Sequence, residues 1–318
     1  MNKSGHRLNS PRTLRFLLGV LLAVLASGCR DSGAADSGNL DIGNAEGGSP
    51  NLTTKLPPSG PLVWDWQIGA ATDKDISVPA GVKLLDLDGF TTSAQTVTRL
   101  KAQGIYTVCY INAGSYEPYR PDAARYPAAL KLHRDPDWTD EFFLDVSDVF
   151  RPNSVLAEIL NDRLEMCHAK GFDAVEPDNL QNDENVPGGQ ITLQQQLDFN
   201  GWIADAAHAH TLAVFQKNGP DKILLRDRTG QMMVDRFDAI LNEECRTQGE
   251  CQALIEYTKR GKLALNVEYL SDSSINDTAP STFLAACPEY ADLNLSELLR
   301  DRNLAGGQMS SYQRTVCP

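Results

Sequence analysis

The feature that most constrains the fold is a regular alternation of short apolar runs with helix-like segments from residue 61 onward. Several helix-like segments end at a glycine directly before the next apolar run, as at Gly104, Gly171 and Gly261, which is typical of a helix C-terminus. The predicted strands are 62–66, 83–87, 105–111, 141–146, 172–175, 212–216, 239–241 and 263–267, and the predicted helices are 93–103, 153–169, 190–210, 220–234 and 248–260. Strands separated by helices predict a parallel sheet. Eight of them in about 255 residues favour a single α/β domain, the (β/α)8 TIM barrel, over an open doubly wound sheet.

The first 28 residues are typical of a secretory signal peptide. Four basic residues precede the apolar run 16–26, and small residues follow it; the basic residues are Lys3, Arg7, Arg12 and Arg15. The apolar run is shorter than the about 20 residues that a membrane-spanning helix needs. Residues 25–29, Leu-Ala-Ser-Gly-Cys, resemble a bacterial lipobox. We therefore expect a lipoprotein of the cell envelope that is anchored in the membrane through a lipid on Cys29, with ordinary secretion as the alternative.

Residues 29–60 are rich in Gly, Ser, Asn and Asp, a composition that predicts a disordered linker between Cys29 and a folded domain at 61–318. The whole chain has a net charge of −13. Removal of the signal peptide removes its four basic residues and no acidic one, which leaves −17. This charge disfavours binding to nucleic-acid phosphates and is compatible with neutral or cationic partners.

The cysteines predict disulfides. Six remain besides Cys29, an even number in an exported chain: Cys109, Cys167, Cys245, Cys251, Cys287 and Cys317. The sequence alone leaves fifteen complete pairings open. Cys245 with Cys251 would close a short loop, and Cys287 with Cys317 would tie down the C-terminal tail, whereas Cys109 is equally compatible with a buried free thiol. Their spacing is not that of a zinc site, and we expect neither a metal nor a cofactor.

Acids and amides recur at the predicted C-terminal strand ends, where barrel enzymes place their active sites. They are Asp65, Gln67, Asp86, Asp88, Asn112, Asp145, Glu176, Asp178, Asn179, Lys217, Asn218, Asn242, Glu243, Glu244 and Glu268. Aromatic residues at the same end can stack on sugars: Trp64, Trp66, Tyr110, Tyr116 and Tyr119. Helix capping accounts for some of the acids, and two oxygen ligands at 86–88 fall short of a calcium loop. The paired acids predict glycoside hydrolysis, which needs one carboxyl as general acid and a second as nucleophile or base.

Six motifs in order over residues 61–270 resemble glycoside hydrolase family 114, the endo-α-1,4-polygalactosaminidase-like TIM barrels. They are WDWQ at 64–67, LDLDGF at 85–90, CYINAGSYE at 109–117, GFDAVEPDN at 171–179, QKN at 216–218 and NEEC at 242–245. The resemblance implies a galactosamine-rich polysaccharide substrate, whose free amines are cationic and suit an acidic protein.

The resemblance also implies site residues. Asp178 matches the catalytic aspartate and is expected to be the nucleophile, and Glu243 is expected to be the general acid/base, with Glu244 as the alternative. The residues expected to line the substrate cleft are Asp86, Asp88, Tyr116, Glu176, Lys217, Asn218 and Glu244. The resulting hypothesis is a membrane-anchored endo-glycosidase acting on α-1,4-linked galactosamine. The competing hypotheses are a non-catalytic carbohydrate-binding lipoprotein on the same barrel and a metal-dependent hydrolase.

Overall fold

The computed structural model describes residues 53–270 and 278–318. The predicted signal peptide, the lipidation site Cys29 and most of the predicted linker lie outside the described residues. Within them, no helix is long and apolar enough to cross a membrane.

Strands and helices alternate through the described residues. The strands are β1 (Trp64–Trp66), β2 (Leu84–Asp88), β3 (Tyr106–Asn112), β4 (Ser115–Tyr116), β5 (Lys131–Arg134), β6 (Phe142–Leu144), β7 (Ala174–Asp178), β8 (Ala213–Lys217), β9 (Ala239–Glu243), β10 (Leu263–Tyr269), β11 (Ser296–Arg300) and β12 (Arg314–Val316). The α-helices are α1 (Ala94–Ala102), α2 (Val155–Ala169), α3 (Asn182–Asn185), α4 (Leu193–Ala209), α5 (Met233–Arg236), α6 (Cys245–Gln248), α7 (Ile255–Thr258) and α8 (Pro280–Asp292).

Eight parallel strands form the barrel predicted from the sequence. Their order is β1-β2-β3-β7-β8-β9-β10-β11, and β12 adds antiparallel to β11. The sheet curls until its first strand returns to β11, where the Trp64 indole Nε1 donates to the Ser296 carbonyl at 2.9 Å and the Leu62 amide donates to the Ser296 hydroxyl at 2.9 Å. These two bonds replace a ladder between the first and last strands of the barrel.

The assignment of 141–146 to the barrel is wrong. Its centre forms β6, which pairs antiparallel with β4 and β5 in a separate three-stranded sheet. The eighth barrel strand is β11, which the sequence pattern does not reveal because it carries charged residues at Glu297 and Arg300. Both are buried in the fold: Asn266 Nδ2 donates to Glu297 Oε2 at 2.9 Å, and Arg300 Nη1 donates to Asp65 Oδ1 at 2.6 Å.

Two predicted helices are much shorter than expected. The predicted helix 220–234 overlaps α5 (233–236) only at its last two residues. The predicted helix 248–260 contains the last residue of α6, a 3-10 turn at 251–254 and α7 (255–258). Gly230, which has a φ of +86°, ends any helix that would continue toward α5.

Alternation along the barrel strands determines which side chains face inward. The inner core contains Ala174 of β7, Ala213 and Phe215 of β8, and Ala239 and Leu241 of β9. The residues that continue this alternation toward the C-terminal strand ends are Glu176, Asp178, Lys217 and Glu243. The interior therefore changes from apolar to charged as the strands approach that end.

Three disulfides connect the six described cysteines. Cys245–Cys251 and Cys287–Cys317 are the two pairs considered from the sequence, and Cys109–Cys167 joins β3 to α2. The free-thiol alternative for Cys109 is therefore wrong.

Candidate active site

The last residues of three adjacent barrel strands meet at the C-terminal end of the barrel. Asp178 ends β7, Lys217 ends β8 and Glu243 ends β9. After each of them the chain turns through a residue in the left-handed region: Asn179 (φ 61°), Asn218 (φ 52°) and Glu244 (φ 61°). Positive φ at non-glycine residues is uncommon and concentrates at functional sites, because the surrounding structure must hold it.

The buried ammonium group of Lys217 lies at the centre of this group. Its Nζ is 3.0 Å from Asp178 Oδ1, 3.4 Å from Glu243 Oε2 and 3.1 Å from Glu176 Oε1. The side chain is only 3% exposed. Burial by itself lowers the pKa of Lys217, but the carboxylates of Asp178, Glu176 and Glu243 reverse this and raise the pKa well above its usual range. Lys217 therefore remains a cation at the base of the cleft.

Asp178 is held in one orientation by several donors. The Tyr110 hydroxyl donates to Oδ2 at 3.0 Å, and the backbone amide of Asn179 donates to Oδ1 at 2.8 Å. A close approach of two loops supports this turn: a Cβ at Gly114 would lie 1.9 Å from the Asn179 carbonyl oxygen, so a side chain cannot be accommodated there.

Glu243 is clamped by the residue that follows Lys217. Asn218 donates through Nδ2 to Glu243 Oε2 at 2.9 Å and accepts from the Glu243 backbone amide through Oδ1 at 2.8 Å. The Tyr269 hydroxyl donates to Oε1. Burial alone would raise the pKa of Glu243, but the Lys217 ammonium and the hydrogen bonds from Tyr269 and Asn218 lower it to about 2.

We call Asp178 and Glu243 the rim pair. Their side chains are 21% and 28% exposed, so both carboxylates reach the cleft. Because Asp178 Oδ1 and Glu243 Oε2 contact the same ammonium nitrogen, at 3.0 and 3.4 Å, they are no farther apart than the sum of these distances. Glycoside hydrolysis generally uses a pair of carboxyl groups.

The sequence matches the model of glycoside-hydrolase family GH114 over residues 45–317. The chain belongs to family GH114. It is a glycoside hydrolase on a TIM-barrel fold.

Solved structures show the same fold. The crystal structure of Ega3 from Aspergillus fumigatus in complex with galactosamine is 27% identical; the match covers 83% of this chain and 98% of that one, with a TM-score of 0.70. The glycoside hydrolase domain of PelA from Pseudomonas aeruginosa is 13% identical; its match covers 81% of this chain and 99% of that one, with a TM-score of 0.56, and shows the fold alone. No curated protein sequence is significantly similar to this GH114 chain.

Two residues predicted to line the cleft lie underneath it in this GH114 barrel. Asp86 of β2 and Glu176 of β7 are both fully buried, and their carboxyl oxygens are not exposed to solvent. Burial and the neighbouring Glu176 raise the pKa of Asp86 well above its usual range. Burial raises that of Glu176 to about 7 despite the opposing effect of Lys217. In this structure Glu176 Oε1 lies 3.1 Å from Lys217 Nζ, and Asp86 is close enough to both residues to interact with them electrostatically.

Three other residues predicted to line the cleft are engaged elsewhere. Asp88 accepts from Arg120 Nη1 at 2.7 Å through one oxygen and from the backbone amides of Phe90 and Thr91 through the other. The Tyr116 ring packs edge-on against Tyr126 with the Lys131 ammonium 3.3 Å from its centroid. Glu244 Oε1 accepts from Arg302 Nη2 at 3.2 Å, and Glu243 is the residue of this neighbouring pair that contacts Lys217.

The prediction that Trp64 and Trp66 stack on sugars is wrong. Trp64 and Trp66 are 0% and 1% exposed, so they fill the barrel interior and cannot stack on a polysaccharide. Trp66 instead lies beneath the active-site lysine, with its ring centroid 4.7 Å from Lys217 Nζ. There it restricts the position of the ammonium group.

Sequence reasoning missed the hydroxyl partners of the rim pair. The sequence suggests Tyr110 only as an aromatic ring that stacks on a sugar. Tyr269 lies two residues beyond the predicted strand end at Val267. The real β10 continues to Tyr269, and alternation then places Val267 and Tyr269 on the inner face together. A strand extended by two residues in the prediction would have revealed Tyr269.

No group of three or more His, Cys, Asp or Glu side chains in 53–270 and 278–318 is arranged to hold a metal ion.

Proposed function

We propose that this protein is an endo-acting glycosidase that hydrolyses α-1,4-linked, galactosamine-rich polysaccharide, with the rim pair as its two catalytic carboxylates. The observation that carries this proposal is the pair itself: Asp178 and Glu243 end adjacent barrel strands, reach the cleft and share the ammonium group of Lys217. Family membership supplies the reaction class.

We propose a retaining mechanism. The shared ammonium keeps one oxygen of each carboxylate closer together than the about 6.5 Å at which inverting enzymes begin to leave room for a water molecule. In the first step an Asp178 oxygen bonds to the anomeric carbon while Glu243 gives its proton to the departing glycosidic oxygen. In the second step Glu243 takes a proton from water, whose oxygen displaces Asp178 and releases the sugar.

The acid role places a requirement on Glu243. With a pKa of about 2, the carboxyl is ionised in the free enzyme and must gain a proton before it can act as an acid. A sugar bound over its exposed edge would exclude water and raise the pKa, since desolvation disfavours the charged form. We propose that substrate entry protonates Glu243 in this way.

The proposed substrate is supported by two observations. Ega3, which shares the fold at 27% identity, was crystallised with galactosamine. The acidic charge of this chain suits a polymer with cationic amines.

The proposed anchoring at Cys29 has a structural consequence. Lys55 lies at the opposite end of the barrel from the rim pair: its Nζ is 3.1 Å from Asp173 Oδ1, immediately before β7, and its carbonyl accepts from the Tyr106 hydroxyl at the start of β3. An enzyme anchored through the preceding chain would therefore hold its cleft away from the anchor. The signal-peptide and lipobox pattern of residues 1–29 is what supports the location in the cell envelope that we propose.

The first test is hydrolysis of a defined, partly deacetylated α-1,4-galactosamine polymer. We expect the wild type to release a ladder of oligosaccharides and Asp178→Asn and Glu243→Gln each to lower kcat/KM by about 10²–10⁴-fold. Asp162→Asn and Glu158→Gln are matched controls, since both carboxylates lie on the exposed face of α2. Full activity in both rim-pair variants would overturn the site, and binding without cleavage by the wild type would favour the carbohydrate-binding hypothesis.

Azide rescue of the variants and the anomeric configuration of the first product then show which carboxylate is the nucleophile and which is the acid/base. With Asp178 as nucleophile, azide should rescue Asp178→Asn with inversion at the anomeric carbon and rescue Glu243→Gln with retention. The reverse pattern would exchange the two roles, and an inverted product from the wild type would overturn the retaining mechanism.

A further inference from the structure

We propose that Asp86 and Glu176, the buried pair, share one proton beneath Lys217 and act as positioning residues that keep its ammonium group on the rim pair. The inference rests on the proposed function of Asp178 and Glu243 and adds a second layer to their site.

The position of the buried pair requires a proton. Asp86 and Glu176 extend from β2 and β7, on either side of β3, and they are close enough that Glu176 raises the pKa of Asp86. Both side chains are fully buried, and apart from the Lys217 ammonium 3.1 Å from Glu176 Oε1, none of their four oxygens receives a hydrogen bond from a described residue. Two adjacent carboxylates cannot both be ionised in such a place without strong repulsion, so one of them carries a proton that the other accepts.

Charged and polar groups on the neighbouring strands set the electrostatic environment of the buried pair. β8 contributes the Lys217 ammonium at 3.1 Å from Glu176 Oε1, and β7 contributes the Asp178 carboxylate, which raises the pKa of Glu176. The remaining strands around the pair contribute Tyr110 from β3, Glu243 from β9 and Trp66 from β1, of which Glu243 acts through Lys217. Lys217 therefore faces three negative charges: one on Asp178, one on Glu243 and one on the buried pair, which shares a proton.

Loss of the shared proton changes this balance. The buried pair then carries two negative charges directly below Lys217, and the ammonium is drawn toward Glu176 and away from Asp178 and Glu243. The rim pair would lose the donor that fixes its spacing. We therefore expect loss of the shared proton to add to the decline of kcat/KM at alkaline pH, beside the proton that Glu243 needs as general acid.

Glu176→Gln tests the proposal because the amide can donate to Asp86 as the shared proton does. The variant keeps the single negative charge and has no proton to lose. We expect the alkaline limb of kcat/KM, measured relative to each variant's own maximum, to be displaced upward by about one unit or more, and Asp86→Asn should behave in the same way.

Glu297→Gln is the matched control. Burial raises the pKa of Glu297 well above its usual range, but this carboxyl lies on β11 and accepts from Asn266 Nδ2, and the charges that shift its pKa are Glu268 and Glu289 rather than the rim pair or Lys217. We expect its alkaline limb to match the wild type. An unshifted limb in both buried-pair variants, or a shift in Glu297→Gln alone, would overturn the proposal.

Infrared spectroscopy provides a second measurement that does not depend on catalysis or on the folding of the buried-pair variants. The double variant Glu141→Gln/Glu297→Gln, which lacks two other buried carboxyls with raised pKa values, should show a protonated-carboxyl band near pH 6 that disappears over the range in which kcat/KM falls. The absence of a titrating band would overturn the shared proton. A wild type that shows the band but cleaves no polymer would instead overturn the proposed function and leave the buried pair in place.

Discussion

At the residue scale, the site depends on one cation placed among carboxylates. Lys217 is an unusual occupant of a barrel interior, because taking an ammonium group out of water costs several kcal/mol unless charged partners compensate for it. Asp178, Glu243 and Glu176 supply that compensation at 3.0 to 3.4 Å. In return Lys217 lowers the pKa of Glu243.

Lys217→Met should therefore lower the activity strongly, although the Lys217 side chain is buried. We expect kcat/KM to fall about 10²–10³-fold, as on removal of a preorganised electrostatic contact. We also expect the pKa of Glu243 to rise from about 2 toward the usual glutamate range, which extends to higher pH the range in which this general acid is protonated. Lys259→Met, at an exposed lysine directly after α7, is the control, and an unchanged alkaline limb in Lys217→Met would contradict the role given to the ammonium.

The residues of the site differ in how far the sequence reveals them. Asp178 and Glu243 stand out because each follows an apolar run within a family motif. Tyr269 does not, because the end of its strand was placed two residues too early. The depth of Asp86 and Glu176 below the cleft depends on the pleat of β2 and β7, which strand-end spacing alone does not give.

At the element scale, the disulfide Cys109–Cys167 connects the barrel to its outer layer. It joins β3, which carries Tyr110 to the site, to α2 across a separation of 58 residues. Both cysteines are fully buried in the apolar cluster between sheet and helices. The disulfide therefore fixes α2 against the strand next to β7.

Removal of this disulfide should destabilise the protein. In the chain-entropy model a loop of this length contributes about 4 kcal/mol, against about 2 kcal/mol for the six-residue separation of Cys245–Cys251. We expect Cys109→Ala/Cys167→Ala to lower the free energy of unfolding more than Cys245→Ala/Cys251→Ala, measured by urea denaturation. Equal losses would show that loop length does not determine the difference.

The strands show why elements can be misassigned while the fold class is correct. Segment 141–146 has the composition of a barrel strand, whereas β11 carries Glu297 and Arg300. The partners that bury these charges, Asn266 and Asp65, are distant in sequence. Local pattern favours the wrong strand, and only the long-range pairing corrects it.

At the scale of the whole molecule, buried acidic side chains determine how the free energy of unfolding depends on pH. Glu176 and Glu141 have pKa values raised to about 7 and about 8, chiefly by burial, and burial raises those of Asp86 and Glu297 well above their usual range. In the folded state the buried pair holds its shared proton and Glu141 and Glu297 hold one each, whereas the unfolded chain has already lost these protons above about pH 4.5, so the folded state binds more protons there.

Stability should therefore fall as pH rises from about 5 to about 8, by up to about 1.4 kcal/mol per pH unit for each such proton. Below about pH 4.5 the direction reverses, because Glu243, with a pKa of about 2, loses its favourable ion pair as it is protonated. Urea denaturation at several pH values measures this profile. Glu141→Gln should reduce its slope between pH 5 and 8, and an identical slope would contradict the raised pKa.

The sequence by itself determined the fold class, the family motifs and the positions of Asp178 and Glu243 at strand ends, because these depend on local periodicity and spacing. The tertiary structure decided which strand closes the barrel, how the cysteines pair, and that Lys217 lies between the rim pair and the buried pair. These features depend on contacts between residues far apart in the chain. Burial and neighbouring charge, which determine the protonation of each carboxyl, exist only after those contacts form.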